Sequence, residues 1–410
     1  MPAVDLAIYA VAAMGHAALW IVAVNHLQAR NVPRRILEAI CWPMRFIAVL
    51  APVGLLVASR YYDLSLVGRT DWSTIPWGVV FYVGFCALIA LVALPPWLVW
   101  ALRHQQAQVT DHHAVVRHDL STHGQVTHHS LKNRLLASLP GNEFLHLDVT
   151  EKSLALKHLP AELDGLTIAH LSDLHFTGDI AAGWYHEVIR LTLELDADLI
   201  VITGDIVEEP ECIPWLAEIC GPLRARHGVY FVLGNHDTRI DYRITRQELT
   251  AVGLVDLGGR WHALEINGQT LLLAGNELPW IRPAADPRDC PATESTSDDG
   301  ARPVRICVAH SPDQFPWARE HGFDLMLAGH THGGQIRLPL VGPIVCPSKF
   351  GVRYASGTYF ESPTLMHVSR GLSGDTLIRW NCRPELTRLT LRSHVRPVVE
   401  DEQQAACSSH

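Results

Sequence analysis

The sequence predicts a layered α/β domain preceded by a helical transmembrane region, and three observations carry that expectation. No charged residue occurs between Ile75 and Leu102. From Leu166 onward, short apolar β-like runs alternate with amphipathic stretches, the pattern of α/β layers. Five of those apolar runs lead directly into turns rich in His, Asp and Asn.

The run from Ile75 to Leu102 is long enough to cross a hydrocarbon core of ~30 Å, and it lacks the polar face a soluble helix needs. Trp77, Trp97 and Trp100 lie near its ends, where amphipathic rings favour the interface, and Pro95-Pro96 is expected to kink or end the helix. Two weaker spans precede it. One runs from Leu6 to Leu27; the other, marginal, from Phe46 to Ala58, extended upstream by Ile36 to Arg45. His16, a lone histidine in an apolar segment, is read as finding a packing or hydrogen-bond partner. Arg30, Arg34, Arg35 and Arg45 cluster between the first two spans, whereas Arg60 and Arg69 further on are offset by Asp63 and Asp71. Counting basic residues puts the first loop, and everything after Leu102, on the cytoplasmic side. The competing reading is an export signal around Arg34-Arg35, which Glu38, Arg45 and the preceding apolar segment oppose.

Between Arg103 and Asn133 the apolar periodicity is lost, and His104, His112, His113, His118, His123, His128 and His129 gather without a fixed ligand spacing. This stretch is read as a solvated linker. The net charge of −9, with no Lys/Arg-dense stretch, argues against nucleic acid as a partner. Nine cysteines, none in a Cys-x-x-Cys pair, fit neither a zinc ribbon nor a small disulfide scaffold, so reduced structural thiols are expected; Cys212 and Cys220 are the one pair whose bridging is entertained.

In the C-terminal two-thirds, Leu166–Leu171 reads as a strand running into Ser172-Asp173-Leu174-His175. A helix is expected from Trp184 to Leu195, then a strand from Asp198 to Thr203 running into Gly204-Asp205. A third strand, Val229–Leu233, delivers Gly234-Asn235-His236-Asp237. Val304–Ala309 leads into His310, and Leu325–Ala328 into Gly329-His330-Thr331-His332-Gly333-Gly334. Loops at the carboxyl ends of strands converge on one crevice in an open α/β sheet, so these scattered residues are expected to share a site. His nitrogen combined with Asp and Asn oxygen suits a pair of Mn, Fe, Zn or Co-type divalent ions, and no turn carries a thiolate. Two such ions can bind a phosphoryl group and activate water. Gly329, Gly333 and Gly334 let the backbone turn tightly there. Glu208 and Glu209 are read as capping or solvating the next segment, outside the site.

Asp173-x-His175, Gly204-Asp205, Gly234-Asn235-His236-Asp237, His310 and Gly329-His330-x-His332 resemble, in order, the signature of calcineurin-like metallophosphoesterases. The resemblance covers roughly Leu163 to Leu391. It implies that Asp173, His175 and His332 hold one metal, that Asn235, His310 and His330 hold the second, and that Asp205 bridges both. It further implies that His236 is catalytic, donating a proton to the leaving oxygen or stabilising phosphoryl charge, with Asp237 orienting it. The string from His330 to Pro339, with Arg353-Tyr-Ala-Ser-Gly357 downstream, is similar to the membrane-associated branch of this family, which includes hydrolases of UDP-2,3-diacylglucosamine and enzymes acting on general phosphodiesters. Arg337 and Arg353 are the candidate contacts to substrate phosphate.

The expected organisation is a transmembrane region of about three helices (1–103), a His-rich linker and lead-in (104–162), a metallophosphoesterase domain (163–392) and a polar tail (393–410). The insert from Arg282 to Arg302 is read as a surface loop. The expected activity is hydrolysis of phosphodiester or pyrophosphate bonds at the bilayer, with lipid-linked phosphoesters among the candidate substrates; the alternative is a scaffold that keeps the fold without turnover.

Overall fold

The computed structural model describes residues 3–32, 34–61, 64–67, 71–73, 75–103, 113–123, 131–291, 302–339, 341–374 and 376–393. The N-terminal region is three helices, α1 (Ala3–Gln28), α2 (Arg34–Tyr61) and α3 (Trp77–Arg103), each long and apolar enough to cross a membrane. The marginal second span is one helix through Pro43 and Pro52, and α3 continues through Pro95-Pro96 instead of ending there. In an apolar setting helical backbone bonding is the only inexpensive arrangement, so isolated prolines are tolerated where neighbouring helices pack. His16 bonds Tyr82 Oη at 2.5 Å and Ala48 O at 3.1 Å, the structural role expected of it. Asp5 is buried in α1, where its carboxylate accepts from the amides of Leu66 and Val67.

The α/β part is built from β1 (His113–Asp119), β2 (His146–Leu156), β3 (Thr167–Leu171), β4 (Leu199–Thr203), β5 (Val229–Val232), β6 (Val255–Asp256), β7 (Trp261–Ile266), β8 (Gln269–Asn276), β9 (Val304–Ala309), β10 (Leu325–Ala328), β11 (Arg337–Leu338), β12 (Gly342–Pro343), β13 (Gly357–Glu361), β14 (Thr364–Val368) and β15 (Glu385–Ser393). They form a seven-stranded sheet ordered β1-β2-β15-β3-β4-β5-β6, a six-stranded sheet ordered β13-β14-β10-β9-β8-β7, and the small β11–β12 pair. Helices α4 (Leu131–Ala137), α5 (Ala182–Glu194), α6 (Ile213–Trp215), α7 (Tyr242–Ala251) and α8 (Phe315–Glu320) complete the fold.

The two sheets pack face to face. Ile168, Val201, Val232, Leu273, Ile306 and Leu327 meet between them, while Ala169, Ile200, Ile202 and Phe231 point to the outer layer with α5, and Ala309, Phe315 and Met326 form a second outer core with α8. Strands covered on both faces must be mostly apolar, which is why β3, β4, β5, β9 and β10 read as predominantly apolar runs, with His170 of β3 and Arg305 of β9 among the exceptions. The stretch read as linker and lead-in departs from that expectation. β2 lies beside β15 in parallel register from Asp148–Glu385 to Leu156–Ser393, and β1 forms the outer edge beside it. His113 and His118 are therefore on a strand, whereas His104, His112, His128 and His129 lie outside the described residues. So do 292–301 of the Pro/Ser/Thr-rich insert and the tail beyond Ser393. The eight cysteines among the described residues are free thiols, including Cys212 and Cys220.

Candidate metal centre

The carboxyl ends of β3, β4 and β5 from one sheet and of β9 and β10 from the other point into one pocket. The turns that follow them are conformationally unusual: Asp173, His175, Asp205, His330 and His332 all have φ between 50° and 70°. Non-glycine residues hold that conformation only where surroundings over-determine it, as at binding sites. Gly234 permits a close approach, because a Cβ there would lie 2.1 Å from Asp205 Oδ1 and 2.7 Å from His310 Nε2. A Cβ at Gly329 would lie 1.7 Å from Ser172 Oγ and 2.5 Å from Asp173 Oδ2.

Three groups of donors result, two of them sharing Asp205: Asp173, His175, Asp205 and His332 on one side, and Asp205, His310 and His330 on the other; His175, Glu208 and His236 form the third. Asp205 Oδ2 is 3.7 Å from His175 Nε2 and 3.1 Å from His310 Nε2; Asp173 Oδ1 is 3.9 Å from His175 Nε2 and 3.8 Å from His332 Nε2. Asn235 Oδ1 joins the second group, 3.1 Å from His310 Nε2, and His330 Nδ1 is 3.1 Å from the same nitrogen. His310 Nδ1 is committed to the Thr203 carbonyl at 2.6 Å and His332 Nδ1 to the Ser373 carbonyl at 3.0 Å, so with the proton on Nδ1 each ring presents its Nε2 lone pair inward. Lone pairs and carboxylate oxygens then face one another in a buried space, an arrangement that a cation satisfies and a dry pocket does not. The donor set of nitrogen and oxygen fits borderline divalent ions.

The electrostatics split the imidazoles of the pocket into two kinds. Burial alone would lower the His310 imidazole, but Asp205 beside it outweighs that and lifts it to about 9. Burial works against the Asp205 carboxylate too, yet His310, His236 and His175 hold it well below its ordinary value. His330 and His332 are pushed well below theirs, first by burial and then by neighbouring imidazoles.

Glu208, read from sequence as a capping or solvated residue, is instead buried at the pocket. Its Oε1 is hydrogen-bonded to His175 Nδ1 and lies 2.8 Å from His236 Nδ1, and its Oε2 is paired with Arg239. Asp237, expected to orient His236, is turned away: its oxygens accept from the amides of Ile206 at 2.9 Å, Val207 at 3.0 Å and Gly234 at 2.8 Å. The carboxylate beside His236 is thus Glu208, while Asp237 accepts from the amides of the Asp205 and Asn235 loops. The available signal was Glu208's position three residues after Asp205 in the same loop. His236 is partly buried, with Nε2 4.0 Å from Asp205 Oδ2. Two further residues carried no sequence signal. The Trp280 ring lies 4.8 Å from that of His330, and buried Arg379 donates to the carbonyls of His332, Arg370 and Ser373. Arg353 is exposed, pairs with Glu361 at 2.8 Å and stacks on Tyr354; Arg337 donates to Ser356 Oγ at 3.1 Å. No contact of either arginine joins it to the His/Asp pocket among the described residues.

Residues 166–334 match the family model described as calcineurin-like phosphoesterase. The chain is 31% identical over 258 residues to the uncharacterized metallophosphoesterase YkuE of Bacillus subtilis (strain 168), an alignment covering 60% of this chain and 86% of that one. The chain belongs to the calcineurin-like phosphoesterase family. It is also 30% identical over 229 residues to the phosphodiesterase YaeI of Escherichia coli (strain K12), covering 55% of this chain and 81% of that one. A Danio rerio protein, the transmembrane protein with metallophosphoesterase domain, is 28% identical over 263 residues, covering 60% and 57%. As a calcineurin-like phosphoesterase the chain is a metal-dependent phosphoric ester hydrolase, and the family's divalent metals match the two donor groups that share Asp205.

Proposed function

We propose that this chain is a membrane-anchored hydrolase of phosphodiester or pyrophosphate bonds, with the catalytic half facing the cytoplasm and lipid-linked phosphoesters among its substrates. The observation that carries the chemistry is the shared Asp205, flanked on both sides by buried imidazoles. In this reading Asp173, His175 and His332 hold one divalent ion, Asn235, His310 and His330 hold the second, and Asp205 bridges them. When bound, the ions supply Lewis acidity to the phosphoryl group and to the attacking water.

The chain's own residues do the rest. His236 has its Nδ1 2.8 Å from Glu208 Oε1, and its Nε2, which accepts from Arg239 Nη2 at 3.3 Å, lies 4.0 Å from Asp205 Oδ2. In its protonated form, with Nε2–H turned from Arg239 to the substrate, it would deliver that proton to the leaving oxygen. Trp280 walls the pocket on the His330 side and excludes water. Its neighbour Pro279 accepts a hydrogen bond from Asn31 in the Arg-rich loop between α1 and α2, which supports placing the catalytic half on the cytoplasmic side of the bilayer. The name of the E. coli relative, a phosphodiesterase, supports the diester class.

The test is His236→Ala in the full chain, with manganese-supported hydrolysis of bis(p-nitrophenyl) phosphate and UDP-2,3-diacylglucosamine followed beside bound-metal content. Turnover is expected to fall by about 10²–10⁴-fold with metal retained. Wild-type protein that is metal-loaded and inert on both esters would instead leave a scaffold.

A further inference from the structure

We propose that the rim of this pocket is a lipid-contact surface. The β11–β12 hairpin, Trp380 and the outer face of α4 rest in the headgroup–acyl boundary of the bilayer that α1–α3 cross. The proposal rests on the reading of those helices as spans.

The hairpin is the first observation. From Leu338 to Pro347 the chain carries no charged side chain, and Arg337 and Lys349 flank it. Leu338, Val341 and Val345 are 37%, 42% and 43% exposed, so the apolar side chains are not folded back onto the body. An apolar loop with basic flanks has the composition that anionic headgroups and upper acyl chains accept together. The hairpin also grows out of the metal pocket, since it follows the His332–Gly334 turn directly.

The second observation is α4 and the turn after it. Leu131 and Leu135, one helical turn apart on α4, are 71% and 60% exposed on the same face, and Leu139 in the bend after the helix is 46% exposed. Asn133 is buried on the other side, where its Nδ2 donates to Asp179 at 2.7 Å and fixes which face looks outward. Trp380 joins the two apolar pieces. It is 51% exposed; its carbonyl accepts from the Arg337 amide at 2.9 Å, and its Nε1 is 3.7 Å from the Cβ position of Gly141. An exposed tryptophan between two leucine- and valine-rich edges is the arrangement that membrane interfaces select. The surface is therefore continuous rather than a scatter of single apolar residues.

Its position names the occupant. Gly351 packs against Asn25 in the last turn of α1, with its Cβ position 3.8 Å from Asn25 Nδ2, and Asn31 just beyond α1 donates to Pro279 at 3.1 Å. Val345 precedes Gly351 by a stretch that spans at most about 20 Å when fully extended, so the hairpin cannot leave the neighbourhood of that helix end. The same end of α1 meets the arginine-rich α1–α2 loop, where the span reaches the interface. A bilayer held there by three helices covers the apolar rim without any further partner. An amphiphilic phosphoester would then enter the pocket sideways from the membrane, its phosphate at headgroup depth and its chains still in lipid.

The test uses the full chain in nanodiscs of phosphatidylcholine and phosphatidylglycerol, with photoreactive p-benzoylphenylalanine placed in turn at Val341, Leu135, Leu88 and Glu265. Leu88 lies within α3, and Glu265 sits on β7 at the sheet end away from the pocket. Lipid adducts at 341 and 135 comparable to those at 88, with none at 265, are expected. Lipid adducts at 88 but not at 341 and 135 overturn the proposal while leaving the spans intact. Protein–protein adducts at 341 and 135 overturn it in favour of a second copy. Absence of lipid adducts at all four positions overturns the membrane-span reading and the proposal with it.

Discussion

Glu208 serves two imidazoles at once, His175 among the candidate ligands and His236 above them, and Arg239 neutralises its far oxygen. In the proposed mechanism, one carboxylate couples the hold on His175 to the position of His236. Glu208→Gln keeps the volume but offers one acceptor where two imidazoles need one, so kcat is expected to fall about 10- to 100-fold with the melting temperature nearly unchanged. Steady-state kinetics beside thermal unfolding would read this; an unchanged kcat would remove Glu208 from the machinery. Asp237 behaves differently because its partners are backbone amides. Burial, and then the charge of Asp205, push it up to about 6. Asp237→Ala leaves three buried N–H groups without their acceptor, at about 1–3 kcal/mol each, so the expected signature is a lowered melting temperature and weakened metal retention together. Loss of activity at an unchanged melting temperature would restore the orienting role once expected of it.

Among elements, β15 joins β2 to β3 inside the seven-stranded sheet. Glu385 at its start pairs with Lys152 of β2 at 2.7 Å and with Arg370, and Lys152 also reaches His367 of β14 at 3.0 Å. The buried chain continues from His367 to His170 of β3 and on to Thr203 of β4, whose carbonyl holds His310. Burial works against the Glu385 charge, but Arg370 and Lys152 outweigh it and keep its pKa well below the ordinary 4.5. A carboxylate depressed in the folded state binds fewer protons than it does unfolded, so its stabilisation is present above about pH 4.5 and lost as pH falls below that. Glu385→Gln is expected to flatten the acid limb of melting temperature against pH. It should also destabilise the protein at neutral pH by about 3–5 kcal/mol, since Lys152 is left buried without its partner. An acid limb as steep as the wild type's would sink this account.

For the whole molecule, the seven-stranded sheet begins at His113, not at Leu163. A fragment starting at Leu163 would lose β2 and present β15 as a long unpaired edge, so it is expected to aggregate, whereas one starting just before His113 should stay soluble. Size-exclusion profiles of the two fragments decide the matter, and a monodisperse Leu163 fragment would refute it. β1 and β2 were hard to see in advance because histidines and charged residues interrupt them: β1 is an exposed edge strand, and β2 is largely buried but carries Asp148, Glu151 and Lys152, so neither has an apolar run to announce it. The five strands that position the pocket were visible for the opposite reason: burial on both faces made them predominantly apolar.

What the sequence determined by itself was local. Strand followed by ligand-bearing turn, repeated five times, is written in adjacent residues, and so is the length of an apolar helix able to cross a bilayer. Those readings needed only period, length and donor chemistry. Tertiary structure decided everything that depends on which way a side chain points once its turn has closed. Glu208 faces inward and Asp237 does not, although both lie near ligands in sequence, because the left-handed turn at Asp205 and the amides of Ile206, Val207 and Gly234 claim one carboxylate and leave the other free to meet His175 and His236. Likewise Trp280 and Arg379 reach the pocket through long-range packing between layers, and no spacing in the chain encodes that distance.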